Sequence, residues 1–245
     1  MSVTLEMLGT GNAFSKRFFN NNALVFQDGF TLMVDCGITA PLALYQTGRT
    51  FADIDGVLIT HLHADHIGGL EELAFQMKFV HKRLIPLYVP ETLTETLWEN
   101  SLRAGLEQDD FNSLHHYFQV IPLRETEICS ITPNLQVEIV QTQHIPGKRS
   151  YSLFINKTVF YSADAQFSRE LIEEVYYTRG CRAILHDCQL QQPAVVHAGL
   201  AQLLTLPDEI QQSVYLMHYD DIMPEFEGKT GSMTFIKQHE LITLG

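Results

Sequence analysis

The sequence predicts an α/β fold, and its order of strands and helices fits an αββα sandwich in which two sheets face each other and carry helices on their outer sides. Three observations point there. Short β-rich apolar runs are interleaved with helical patterns along the whole chain, with strands clustering before and after the helical pieces. At 245 residues and 45% hydrophobic content the chain can bury a large core, and no Pro/Ser-rich linker divides it, so residues 1–245 read as one domain. Residues with metal-ligand chemistry follow several of the apolar runs, which puts a site along one sheet edge.

Taken in order, residues 3–8, 23–27 and 31–35 read as strands separated by polar turns, and residues 41–47 as a helix. The apolar run 56–60 is expected to be a buried strand, followed by a helix over 67–83. Helical patterns recur at 90–103, 168–177 and 199–204. Strand-like runs lie at 137–140, 158–162 and 213–217, and 233–236 and 241–244 read as a closing pair. The spacing Leu93, Leu97, Trp98, Leu102 is amphipathic and predicts a helix packed onto its own domain. Residues 78–133 hold mixed basic and acidic clusters without a motif, and read as a variable segment forming a cap or dimer contact.

Residues 60–69 carry the chemistry: Thr60-His61-Leu62-His63-Ala64-Asp65-His66-Ile67-Gly68-Gly69. Imidazole and carboxylate suit borderline divalent cations, and a strand–loop–helix junction lets them converge. His61 and His63, two apart in an extended segment, project to one side; Asp65 and His66, past the turn, can face a second position. The motif therefore offers ligands for two metals. A single structural zinc would need a closed set of four ligands, usually with Cys, and this set has none.

Composition narrows the function classes. A formal net charge of −13 opposes binding of a large nucleic acid, whose affinity comes from Lys/Arg contacts to phosphates. Cys36, Cys129, Cys181 and Cys188 are scattered without C-x-x-C spacing, which suits a reducing cytoplasm. No basic-plus-apolar leader and no run of the ~18 apolar residues that a membrane span needs is visible, so the expectation is a cytoplasmic protein with no membrane partner. His81, His115, His116 and His239 read as surface residues. His186 and Asp187, after a strand-like run, are candidates for supporting the site.

The pattern His61-x-His63-x-Asp65-His66 resembles the metal signature of the metallo-β-lactamase-fold superfamily. That resemblance implies a third histidine, a bridging acid and a last histidine at later strand ends, where His144, Asp164 and His218 stand. It implies His61, His63 and His144 on one metal, Asp65, His66 and His218 on the other, and Asp164 bridging both. The cofactors implied are two divalent ions, zinc with manganese as the alternative. Leu8-Gly9-Thr10-Gly11-Asn12-Ala13-Phe14, Asn20-Asn21-Asn22 and Asp35-Cys36-Gly37 resemble ribonuclease Z-like enzymes, in which a histidine placed like His197 assists phosphate chemistry. Those enzymes grip tRNA with a long arm between the third histidine and the bridging acid. Only 19 residues separate His144 from Asp164 here.

A fuller resemblance runs nearly end to end. Phe18-Phe19-Asn20-Asn21-Asn22-Ala23-Leu24, Gly37-Ile38-Thr39-Ala40-Pro41, His66-Ile67-Gly68-Gly69-Leu70-Glu71-Glu72, His186-Asp187-Cys188-Gln189-Leu190 and Tyr215-Leu216-Met217-His218-Tyr219 are similar to the anti-Pycsar proteins and their bacterial relatives. The resemblance implies a homodimeric phosphodiesterase that hydrolyses 3′,5′-cyclic mononucleotides, cyclic CMP and cyclic UMP among them, to nucleoside monophosphates. In phages this removes the messengers of a bacterial immune system. The alternative is a hydrolase of the same fold acting on RNA 3′ ends, lactones or thioesters. On the first reading Asp65 orients the attacking water while ligating a metal, and His197 or a water protonates the departing ribose oxygen. Phe18, Phe19, Tyr151 and Tyr219 are the aromatic candidates for base stacking, and Lys148-Arg149 are placed to meet phosphate.

Overall fold

The computed structural model describes residues 3–244, which form two seven-stranded sheets. The first contains β1 (Val3–Met7), β2 (Ala23–Gln27), β3 (Phe30–Val34), β4 (Gly56–Leu58), β5 (Pro86–Pro90) and β6 (Gln119–Leu123). The second contains β7 (Ile128–Thr132), β8 (Leu135–Thr142), β9 (Ser150–Ile155), β10 (Val159–Tyr161), β11 (Ala183–Asp187), β12 (Val214–Met217) and β13 (Thr234–Phe235). The last strand, β14 (Leu241–Leu244), returns to the first sheet and pairs with β1. Both sheets share one ladder pattern: three antiparallel pairs, ending at β3 and at β10, then three parallel pairs.

The strands read as near-continuous apolar runs because both faces of each sheet are covered. In the second sheet Leu153, Tyr161, Leu185 and Met217 join the core between the sheets. Their neighbours Phe154, Phe160, Ile184 and Leu216 point the other way into an outer cluster. That cluster is closed by α6 (Arg169–Glu173), α7 (Leu200–Leu203) and α8 (Asp208–Gln211), reached after five earlier helices: α1 (Ala40–Gln46), α2 (Ala64–Ile67), α3 (Leu70–Phe75), α4 (Glu91–Leu97) and α5 (Arg103–Leu106). Ala43 and Leu44 of α1, Leu73 of α3 and Leu97 of α4 cluster with the first sheet. The result is the αββα layering expected from the sequence. Leu93, Leu97, Trp98 and Leu102 are all buried in this one domain, as the amphipathic spacing predicts.

Two expectations are corrected by tertiary packing. The closing strands do not pair with each other: β13 extends the second sheet beside β12, while β14 crosses back to the first. The helix expected over 67–83 is broken at Gly68 and Gly69, between α2 and α3. A Cβ on Gly69 would stand 2.6 Å from the Gly37 carbonyl oxygen, so the chain is pressed against residues 36–38 there and cannot continue as one cylinder. Strands β5, β6, β7 and β9 escape sequence reading: β5 and β6 contain Pro86, Pro90 and Pro122, no residue of β7 is fully buried, and Ser150 and Ser152 interrupt the apolar run of β9. Residues 78–133 hold β5, β6 and β7 with α4 and α5, and carry the chain from the first sheet to the second.

Candidate metal centre

The seven expected metal ligands collect where strands of both sheets end. His61, His63, Asp65 and His66 follow β4, His144 follows β8, Asp164 follows β10, and His218 follows β12. Three turning points use backbone with positive φ at residues other than glycine: Asp35 (+61°) after β3, Ala163 (+50°) after β10, and His218 (+57°) after β12. Such left-handed conformations cost free energy and cluster where side chains must be re-aimed at a site. At equivalent points of the two sheets, just past the first parallel strand partner, they turn Asp35 and Asp164 inward.

The donors form two sets around one carboxylate. In the first, His61 Nε2 lies 3.0 Å and His144 Nε2 3.3 Å from His63 Nδ1. Both Nε2 atoms are 3.5 Å from Asp164 Oδ2. In the second, His66 Nε2 lies 3.3 Å from Asp65 Oδ2 and 3.1 Å from Asp164 Oδ1. His218 Nε2 is 3.3 Å from Asp65 Oδ2 and 3.2 Å from Asp164 Oδ1. Four ligands about 2.0–2.1 Å from a tetrahedral ion stand roughly 3.3 Å from one another, which is the spacing of both sets. His66 Nε2 and Asp164 Oδ1 are buried, close, and without an aligned hydrogen bond, as co-ligands are and donor–acceptor pairs are not.

The ring tautomers fit the same reading. His66 Nδ1 donates to Asp35 Oδ2 at 2.7 Å, and His144 Nδ1 donates to the Val196 carbonyl at 2.8 Å. Thr60 Oγ1 donates to Asp35 Oδ2 at 2.8 Å and accepts from His61 Nδ1 at 3.1 Å. Each of these three imidazoles is left with a bare Nε2 facing the centre, the form in which histidine binds metal. Asp35, fully buried, thereby holds a histidine of each set, one directly and one through Thr60. Asp187 supports from the other side: His197 Nδ1 donates to its Oδ2 at 2.6 Å, and His218 Nδ1 stands 3.3 Å from its Oδ1.

The floor of the loop is built by the asparagine run and residues 36–39. The Gly37 amide donates to Asn22 Oδ1, Asn22 Nδ2 donates to the Asp65 carbonyl, and Asn20 Oδ1 accepts from the Thr39 amide. A Cβ on Gly37 would lie 1.9 Å from the Asp65 carbonyl oxygen, and the contact is with backbone that cannot rotate away. Gly37→Ala is therefore expected to lower stability by at least about 1–3 kcal/mol, the ordinary cost of overpacking, and to displace Asp65. A melting temperature equal to the parent's would contradict that.

Electrostatics favour cations here. Burial opposes charge throughout, yet Asp164, Asp65 and Asp35 hold the His66 imidazole well above its ordinary range. His218 is likewise raised to about 10 against the burial cost, beside Asp164 and Asp187. Asp65 and Asp164 stay below the usual carboxylate range because of the imidazoles around them, although burial pulls the other way. His63, half-buried and next to His61 and His144, is pushed down to about 4. The carboxylates that hold these protons give the donor set the negative charge that a divalent ion's ligands supply.

A cleft of about 740 Å³ opens on the centre, lined by His63, Asp65, His144, Asp164, His197 and His218 and, further out, by Asn12, Phe14, Gln189, Gln191, Asp220 and Asp221. A second recess of about 430 Å³ lies on the other side of His63, lined by His61, Thr92, Thr96, Gly147, Lys148 and Arg149. The seven expected metal ligands and His197 are thus brought together. His186 is not: it lies on the face of β11 that bears Ile184, and its Nδ1 donates to the backbone carbonyl of Asp187. Tyr151 and Tyr219 are buried, Phe18, half-buried, packs edge-on against Tyr219 at 5.1 Å, and Phe19, half-buried, packs on the core; none of the four aromatic candidates lines the large cleft. Sequence reasoning missed the supporting role of Asp35 and Thr60 and the exposure of Phe14; the one signal for Asp35 was its place at a strand end before Cys36-Gly37.

Two facing mixed sheets with a His/Asp centre at their common edge define a metallo-β-lactamase-fold protein. The crystal structure of the metallo-β-lactamase-fold protein YhfI from Bacillus subtilis superposes with a TM-score of 0.78 at 16% identity, covering 99% of this chain and 100% of that one. The family described as Anti-Pycsar protein Apyc1 matches residues 3–242, and the chain belongs to it. The Anti-Pycsar protein Apyc1 of Paenibacillus sp. (strain J14) is 53% identical over 245 residues, all of both chains. That of Bacillus phage vB_BsuM-Goe3 is 42% identical over 259 residues, 99% of each.

Proposed function

We propose that the chain is a metal-dependent phosphodiesterase that opens 3′,5′-cyclic mononucleotides, including cyclic CMP and cyclic UMP, to nucleoside monophosphates. The carrying observation is Asp164, whose two oxygens each face one set of donors beneath a cleft of nucleotide size. His61, His63 and His144 would hold one divalent ion, Asp65, His66 and His218 the other, and Asp164 both, with zinc the first choice and manganese the second. Bound there, such ions supply charge neutralisation for a phosphoryl group and a nucleophile from water near neutral pH.

The chain's own residues supply the rest. Asp65 lines the cleft with Oδ2 turned to His66 and His218, leaving its other oxygen to orient the attacking water. His197 also lines the cleft, and its Nδ1–H is committed to Asp187, so Nε2 is the atom that delivers a proton to the departing ribose oxygen. Asp187 holds that imidazole above its ordinary value against the burial penalty, which keeps the proton available. Water is divided between the two ends of the opened P–O bond within the one product: its hydroxyl goes to phosphorus and a proton to the ribose oxygen, and the water's remaining proton replaces the one His197 gives up. Lys148 and Arg149, exposed beside His61 and His63, offer positive charge to the phosphate in a chain that is otherwise acidic.

Residues 145–163 are taken up by a turn, β9, a tight connection and β10, leaving no room for a tRNA-gripping arm, which favours a small anionic substrate over RNA. Removal of cyclic pyrimidine messengers used in antiphage signalling is the biological role that accords with the relatives' name. A cytoplasmic homodimer belongs to the same reading. Ile38, Leu42 and Tyr45, exposed along and just before α1, support self-association, and a monomer in sedimentation equilibrium would remove that part. Among the described residues no helix is long and apolar enough to cross a membrane.

The deciding experiment is hydrolysis of a panel of cyclic mononucleotides by zinc- or manganese-loaded protein, with pre-tRNA and a generic phosphodiester as controls. Cleavage is expected, and it should vanish in His61→Ala and Asp65→Ala. In His197→Gln it should slow by about 10²–10⁴ with metal content unchanged. Inactivity on every cyclic nucleotide with metal bound would overturn the proposal.

A further inference from the structure

Phe14 is 86% exposed, belongs to neither core cluster, and lines the large cleft. An apolar ring left in water could be dismissed as loop decoration if its loop were loose, but the loop is pinned at every step. Asn12 Oδ1 accepts from the amides of Phe14 (2.9 Å) and Ser15 (3.0 Å). The Asn12 amide (3.0 Å) and Ser15 Oγ (3.1 Å) both donate to the Tyr219 carbonyl. The Lys16 and Arg17 amides each reach the Asp221 carboxylate at 2.9 Å. Tyr219 and Asp221, which receive the bonds from outside the loop, stand one and three residues past His218 of the metal-type centre. Phe14 is therefore held in register with the centre itself.

The charges around the centre orient a ligand. On one side of His63 lie Lys148 and Arg149, with no carboxylate lining the recess. On the other lie Asp220, Asp221, Gln189, Gln191 and Asn12, a rim that repels phosphate and offers hydrogen-bond donors and acceptors. The uncharged, hydrogen-bonding, flat part of a substrate belongs at the second end, beside Phe14. We infer that Phe14 is the platform on which the nucleobase stacks. This rests on the cyclic-nucleotide reading for its substrate class but not for its test. Because every base presents a π-face, the platform accepts purines and pyrimidines alike, and selectivity among bases must come from the polar rim.

The test is calorimetric binding of a nucleoside 5′-monophosphate and of ribose 5-phosphate to metal-loaded parent, Phe14→Ala and Phe14→Trp proteins. The parent should bind the nucleotide at least about tenfold more tightly than the base-free sugar phosphate, the size of one base–aromatic stack. Phe14→Ala should erase that gap without weakening ribose 5-phosphate, and Phe14→Trp should keep it. Melting temperatures should match, since Phe14 covers no core. An unaltered gap in Phe14→Ala, no gap in the parent, or equal loss of both ligands would each overturn the inference. Where a Phe14-dependent gap is found and no cyclic nucleotide is cleaved, the platform stands and the proposed reaction falls.

Discussion

Replacing Asp164 by asparagine is expected to lower cyclic-nucleotide hydrolysis by about 10³-fold or more, since even one preorganised electrostatic contact is worth about 10²–10³ in rate and this carboxylate faces both donor sets. Asparagine fills the same space but brings no charge, and one of its two faces is an NH₂ group that points at bare Nε2 atoms. Metal content measured by mass spectrometry should fall, and the stabilisation expected when zinc is added to the parent in thermal unfolding should shrink by the same linkage. The variant should fold, because Asp164 packs against imidazoles rather than bearing the core. Retention of full metal content and full turnover would show that the carboxylate bridges nothing.

Asp35→Asn should weaken metal binding by about 10- to 100-fold, the usual cost of losing the carboxylate that orients a ligating histidine. Three donors converge on it: the Thr60 amide, Thr60 Oγ1 and His66 Nδ1, at 2.8, 2.8 and 2.7 Å. Asparagine tolerates the positive φ at this position, so backbone strain is not added. What changes is that one acceptor oxygen becomes a donor facing donors, with a desolvation penalty of about 1–3 kcal/mol for a buried group left unpaired. Because Thr60 transmits the hold to His61, both halves of the centre should loosen together. Weakened binding confined to the half containing His66 would show that the Thr60 link transmits nothing, and unchanged affinity would remove Asp35 from the site's construction.

Legibility followed sequence separation. His61, His63, Asp65 and His66 are candidate ligands within six residues of one another, so their spacing alone announced convergence. His144, Asp164 and His218 were reached through a family resemblance and their places at strand ends; nothing local joins His144 to His63, yet their nitrogens lie 3.3 Å apart. Asp35 and Asp187 were harder, because a carboxylate at a strand end has the same local pattern whether it caps a turn or positions a histidine. Phe14 could not be told from Phe18 and Phe19 on sequence, since burial depends on which elements arrive from elsewhere: Tyr219 covers Phe18, and nothing covers Phe14.

By itself the sequence determined the α/β class, through apolar strand runs interleaved with helical patterns, and the chemistry of the centre, through the residue types at 61–66; the αββα layering was what the family resemblance implied and the element order fitted. The class and the chemistry are set by hydrophobic periodicity and by side-chain identity, which act over a few residues. Only the tertiary structure decided which imidazole nitrogen faces inward, which sheet receives each closing strand, and which aromatic ring stays in the cleft. Each of those depends on hydrogen bonds and packing between segments far apart in the chain, and no local pattern encodes where such segments meet.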